Sequence, residues 1–222
     1  MPAEQPRLRK DAELNRRRIL AAAREVFRDR GVAATLNDVA HHAGVGVGTV
    51  YRRFPDKEAL IDALFESMVK TVEAATAEAL RAPDAWTGLA ACLEEVCEVQ
   101  AMDRGLREVM LGTGRGPQRH AQMQHRVAPL LDQLVARAKD QGRLRRDLLP
   151  ADLAIIQMML GAVTEHLGEP DLWRRYLALL LDGMRAREEL APLPIGPSAQ
   201  RFGAGDLVAA SEHDADRRRT GR

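Results

Sequence analysis

Residues 35–54 read TLNDVAHHAGVGVGTVYRRF, and their pattern decides how the rest of the 222-residue chain is understood. Leu36, Val39, Ala40 and Ala43 recur at i, i+3, i+4 and i+7, the stripe of a short amphipathic helix over Leu36–Ala43. Thr35, with Asp38 three residues on, forms a capping-box-like start to it. Gly44 fits the left-handed residue that ends such a helix, because it carries no Cβ. Val45 opens a tight turn, and a second short helix is expected over 47–54 with Val50 and Phe54 turned to the core. Two short helices joined by a glycine turn are the parts of a helix-turn-helix. Its second helix then presents Gly46, Val47, Gly48, Thr49, Tyr51, Arg52 and Arg53, a mixture that packing explains poorly and a major groove explains well.

Upstream, Ile19, Ala23, Val26 and Phe27 predict a helix over 16–28, closed by Gly31, with Arg17, Arg18 and Arg24 on its other face. Downstream, Pro55 breaks the recognition helix. Asp56 then caps a long helix over 57–81, whose stripe is Leu60, Ile61, Leu64, Phe65, Met68 and Val72. Further helices are expected over 86–102 and 106–111, and, after a glycine-rich loop at 112–117, in a stretch that Pro129 starts or kinks and Gly142 ends. Two strong helices follow, over 151–167 and 171–184. Aromatics are 4% of the chain, and no Val/Ile/Thr run alternates at period two for long, so the expected fold is all-α. A flexible basic arm at 1–14 leads into a helix-turn-helix domain at 15–57. A larger helical domain follows at 58–187, and then a disordered tail at 188–222, rich in Pro, Gly, Ala and charge and closed by Arg217, Arg218 and Arg219.

The net charge of +1 hides an asymmetry. Residues 1–57 hold 12 Lys/Arg against 7 Asp/Glu, and residues 58–187 hold 16 against 19, so only the N-terminal part seeks a polyanion. Arg7, Arg9 and Lys10 precede no apolar segment, which argues against a signal peptide. The apolar stretch at 153–163 is far short of the ~20 residues that span a bilayer, so no membrane is expected as a partner. Cys92 and Cys97, five apart in a helical stretch, lie on different faces and are not expected to bridge. A cytoplasmic location follows.

Other chemistries fit less well. Gly44-Val45-Gly46-Val47-Gly48 imitates a dinucleotide glycine loop, but that motif follows a strand and this one follows a helix. Gly112-Thr113-Gly114-Arg115-Gly116 lacks the Gly-Lys-Ser/Thr that grips phosphate. His41 and His42 are adjacent and cannot share a face, His120 and His125 are five apart, and no HExxH or CxxC occurs, so neither metal nor cofactor is expected. No paired carboxylate or activated nucleophile emerges from spacing, so the chain is not read as an enzyme.

The sequence resembles the tetracycline-repressor (TetR) family of bacterial regulators. The resemblance rests on Arg18-Ile19-Leu20-Ala21-Ala22-Ala23 with Phe27 and Gly31, Asp38-Val39-Ala40 with Ala43-Gly44-Val45, Gly48-Thr49-Val50-Tyr51 with Phe54, and Lys57-Glu58-Ala59-Leu60. It implies that Tyr51 and Lys57 contact phosphates, that Thr49 contacts a phosphate or a base, and that Val47, Arg52 and Arg53 read sequence. Thr35 and the glycines at 46 and 48 belong to the same DNA-facing set. Gly46 departs from the family, which often carries Ser or a similar cap there, and removes one phosphate contact. The arm at residues 7–10 either enters the minor groove or is solvated.

The same resemblance implies an effector cavity in the larger domain. Met102, Met110, Met123 and Met158 would suit its adaptable apolar wall, and His125, Glu165 and His166 its polar groups, although core or surface positions explain each of them as well. It also implies that the last two helices form a homodimer interface through Ile156, Met159, Leu160, Val163, Leu167, Trp173, Tyr176, Leu177, Leu180, Leu181 and Met184. The expected protein is therefore a homodimeric repressor of a palindromic operator, released by a small molecule of unknown identity. The alternative is a DNA-binding protein of the same fold without a ligand, acting as an architectural or spatial marker.

Overall fold

The computed structural model describes residues 4–102, 115–167, 169 and 171–194, with the side chains at 4–11, 32, 100–102, 120 and 163–167 left out of the description. The described helices are α1 (Glu4–Arg30), α2 (Leu36–Ala43), α3 (Val47–Arg53), α4 (Lys57–Arg81), α5 (Ala85–Met102), α6 (Gly116–Asp140), α7 (Pro150–Leu167) and α8 (Leu172–Met184). A single 3-10 turn, Gly31–Ala33, links α1 to the start of α2. Among the described residues the extended pairing is one antiparallel bridge, Leu144 with Arg185.

The chain forms two compact units, divided within α4 after Met68. In the first, Ile19, Ala23 and Phe27 of α1, Val39 and Ala40 of α2, Val50 of α3 and Leu60, Ile61 and Leu64 of α4 are almost fully enclosed. Complete burial of such a side chain contributes about 1.5–3 kcal/mol, so the helix-turn-helix is held by its own core. The first half of α4 belongs to this core, which places the division beyond residue 57, where the sequence pattern puts the domain boundary.

Residues 4–14 are helical in α1, where the sequence suggests a flexible arm. They lack an apolar period, but no breaker interrupts them. Pro6 lies in the first turn, where a missing N–H costs nothing. Glu13 and Arg17 pair at 3.4 Å with i,i+4 spacing.

The second unit packs Val72, Trp86, Leu89, Leu93, Leu134, Leu144, Leu153, Leu160, Trp173 and Leu177 into one core. α6 is fastened to α4 at two levels. Arg126 forms a two-pronged ion pair with Glu73, and Arg137 donates to the carbonyls of Leu80 (2.5 Å) and Ala82 (2.5 Å) at the end of α4. These bonds satisfy carbonyls that a helix end leaves without intrahelical partners. Gly116 and Pro117 open α6 instead of closing a loop, and Pro129 lies inside the helix without ending it. The short helix expected at 106–111, and loop residues 112–114, lie outside the described residues.

The described part of the expected tail is tied down. Arg145 donates to the Ala191 carbonyl at 2.9 Å, and the Leu193 N–H donates to Asp147 Oδ2 at 2.9 Å. The Arg145 guanidinium beside Asp147 holds that carboxyl well below its usual range. Residues 195–222, including the arginine cluster, lie outside the described residues. No described helix is long and apolar enough to cross a membrane.

Candidate nucleic-acid interface

Thr35 starts α2 from extended backbone and closes the reciprocal box read from the sequence. Its hydroxyl accepts from the Asp38 N–H at 3.2 Å, while its own N–H donates to Asp38 Oδ2 at 2.9 Å. The Thr35 side-chain hydrogen bond is the largest cause holding the Asp38 carboxyl below its ordinary value, followed by the Thr35 N–H and by nearby Arg30. Arg30 pairs with Asp38 at 2.5 Å and so joins the end of α1 to the start of α2.

Gly44 ends α2 at φ 61° and ψ 38°, the left-handed conformation that glycine adopts without strain. The Val45 N–H returns to the Ala40 carbonyl at 3.1 Å, which aims the chain into α3. Gly46 caps α3 through its backbone alone, its carbonyl accepting from the Thr49 N–H at 2.8 Å.

α3 has two unlike faces. Val50 is fully buried and Phe54, its C-cap, nearly so. Val47 is 43% exposed and Tyr51 46% exposed, with Gly48, Arg52 and Arg53 also in the open and Thr49 half-buried. Of the residues that the sequence assigns to DNA, Val47, Gly48, Thr49, Tyr51, Arg52 and Arg53 are thus on α3, while Thr35 caps α2, Gly46 caps α3 and Lys57 begins α4. Arg52 Nη2 donates to Thr49 Oγ1 at 3.2 Å, one turn apart. Gly48 meets no packing demand, since a Cβ there would find no atom within 4 Å.

Lys57 begins α4 and is half-buried. Its ammonium stands 5.5 Å from the centre of the Phe27 ring. Asp56, just before it, accepts the Ala59 N–H at 2.7 Å, the cap expected from the sequence. Arg24, on the face of α1 opposite its apolar stripe, donates to Ser67 Oγ at 3.0 Å and is half-buried.

Among the described residues, those expected in an effector pocket differ in their burial. Met158 is 46% exposed and His125 is exposed, while Met123 is partly buried against the core of the second unit. Met110 and the side chains of Met102, Glu165 and His166 lie outside the described residues. Met158 points outward because its neighbours Ile156 and Leu160 take the inner positions of α7.

The dimer set divides. Ile156, Leu160, Trp173, Leu177 and Met184 are core residues of their own unit, and Leu180 and Leu181 pack partly buried against them. Met159 and Tyr176 are exposed, and so is Leu179 at 60%, which the sequence pattern missed because LALLL at 177–181 offers no polar gap to mark its outer side. The side chains of Val163 and Leu167 lie outside the described residues.

His42 Nε2 pairs with Glu25 at 2.5 Å. Cys92 and Cys97 are free thiols in the core. Burial pushes both thiols up, that of Cys97 to about 11, which leaves them far from the thiolate a nucleophile needs. Among the described residues no three His, Cys, Asp or Glu side chains group as metal ligands would.

Residues 19–64 match the N-terminal family pattern described as bacterial regulatory proteins, tetR family. Residues 84–186 match a second pattern, the C-terminal domain of SbtR-like transcriptional regulators, and the two together cover about two thirds of the chain. The chain belongs to the TetR family. That family comprises regulatory proteins, not enzymes. An HTH-type transcriptional regulator of Staphylococcus aureus is 44% identical over 54 residues, 24% of this chain and 29% of the relative. The match thus spans less than a third of that curated relative's length. A crystal structure of a TetR transcriptional regulator from Streptomyces coelicolor superposes with a TM-score of 0.63 at 27% identity, covering 77% of this chain and 98% of the other. The TetR transcription regulatory protein from Mycobacterium vanbaalenii gives 0.63 at 28% identity, covering 81% and 99%.

Proposed function

We propose that this TetR-family chain is a cytoplasmic transcriptional regulator that lays α3 in the major groove of duplex DNA. The observation that carries the proposal is the split character of α3: Val50 and Phe54 are locked into the core while Val47, Tyr51, Arg52 and Arg53 stand outside. Tyr51 and Lys57 hold phosphates on this reading, and Val47, Arg52 and Arg53 read bases, Arg through guanine edges and Val through a thymine methyl. The chain acts as a homodimer through exposed apolar residues, Met158 and Met159 on α7 and Tyr176 and Leu179 on α8. A two-fold dimer reads half-sites ~34–36 Å apart, or a multiple of that, so the operator is palindromic.

Release comes from a small molecule bound in the second unit, which shares α4 with the first. A coupling of roughly 1–3 kcal/mol would change operator affinity ~5–150-fold. The molecule must bind the DNA-incompetent form more tightly. The outward positions of His125 and Met158 favour a second reading, DNA binding without a ligand. Selection of genomic fragments on the purified chain, followed by a screen for compounds that release them, tests both. Enrichment of one palindrome supports DNA regulation, and compound-driven release separates sensor from marker. Retention of all fragments alike contradicts the proposal.

A further inference from the structure

Arg52 is an exposed side chain at the end of a seven-residue helix, yet its guanidinium is not left to wander. Nη2 donates to the Thr49 hydroxyl at 3.2 Å, and Thr49 is the half-buried member of the outer face. Thr is stiff at χ1, so its oxygen offers a fixed acceptor one turn below the arginine. Arg carries five N–H donors in a planar fork, and this contact occupies one of them. A long arginine otherwise loses rotamer freedom when it grips a base, at a cost that preorganisation removes before binding. Nothing packs around Gly48, which shares this side of the helix with Arg52 at i,i+4 spacing, so the space beside the guanidinium stays open for a base edge.

We infer that Thr49 is a positioning residue that sets the Arg52 guanidinium for base readout, so that operator preference at one base pair depends on the Thr49 hydroxyl although Arg52 makes the contact. This rests on the reading of α3 as the groove-facing helix. It gives Thr49 a role different from a direct phosphate contact, in which its loss would weaken every sequence alike.

The test is selection from a randomised duplex library with the full-length chain carrying Thr49→Val, Thr49→Ser, Arg52→Ala, or Thr49→Val with Arg52→Ala. Val keeps the branched shape of Thr and removes the hydroxyl, and Ser keeps the hydroxyl. The expected result is that Thr49→Val and Arg52→Ala each lose discrimination at the same base pair, by about fivefold or more. Thr49→Ser keeps that discrimination, and the double variant is no more relaxed there than Arg52→Ala. Uniform weakening by Thr49→Val, relaxation at a different base pair, or additive losses in the double variant overturns the inference. Unchanged preference with Arg52→Ala overturns it while leaving groove docking intact. A wild-type chain that selects no duplex removes the docking reading itself.

Discussion

The Lys57 ammonium stands 5.5 Å from the centre of the Phe27 ring, so a cation at the start of α4 is braced against a fully buried aromatic of α1. The contact contributes about 0.5–1 kcal/mol at a partly exposed site, enough to bias the side chain's position without competing with phosphate. Lys57→Ala is expected to weaken binding to all duplex sequences and to reduce the slope of log K against log salt by about 0.9. Titrations at several salt concentrations check this, and an unchanged slope would remove Lys57 from the phosphate contacts.

Gly48 separates folding from function. A Cβ at this position meets nothing within the protein, and glycine inside a helix costs about 1 kcal/mol relative to alanine. Gly48→Ala is therefore expected to raise the melting temperature and to lower operator affinity, because the added methyl lies where DNA must approach. Higher stability with full affinity would show that this part of α3 stays clear of the groove.

The contacts between Thr35 and Asp38 give the reading head one pH-dependent interaction. The Thr35 hydroxyl and N–H lower the Asp38 carboxyl below 3.8 in the folded chain. The sign is that of a depressed acid: its stabilising contribution is complete above the unfolded value and is lost as pH falls through the folded one. Asp38→Asn is expected to lower stability at neutral pH and to flatten the acid limb of a pH-melting profile below about 3.8. Thr35→Ala is expected to cost about 1 kcal/mol by removing the cap. An acid limb that Asp38→Asn leaves unchanged would assign it to other carboxylates.

The first unit was legible because its signals are local. The Thr35–Asp38 box, the left-handed Gly44 and the Asp56 cap each occupy a few consecutive residues, and they fix the bounds of α2 and the start of α4. α7 and α8 were readable as helices but not as faces. Met158 and Met159 adjoin buried Leu160, and Leu179 sits among Leu177, Leu180 and Leu181, so the apolar arc of each helix is wider than the face its core takes and does not mark which part stays outside. The bond from Arg24 to Ser67 was not legible for a non-local reason, since its partner comes 43 residues later.

Leu179 and Tyr176 test the dimer. Both are exposed apolar surface on α8, so Leu179→Glu should leave the core of the second unit intact and shift a sedimenting dimer toward monomer. A monomeric wild-type chain at micromolar concentration, or a Leu179→Glu chain that remains fully dimeric, would place self-association elsewhere.

The most direct measurement is a fluorescence-anisotropy titration of the selected operator with the wild-type chain and with a Tyr51→Ala/Lys57→Ala variant, helix content being verified by circular dichroism. Tyr51 is exposed and Lys57 half-buried, so the variant should fold. Docking of α3 and the start of α4 predicts affinity at least about tenfold weaker, from the loss of two phosphate contacts. Wild-type affinity in a folded variant would contradict it.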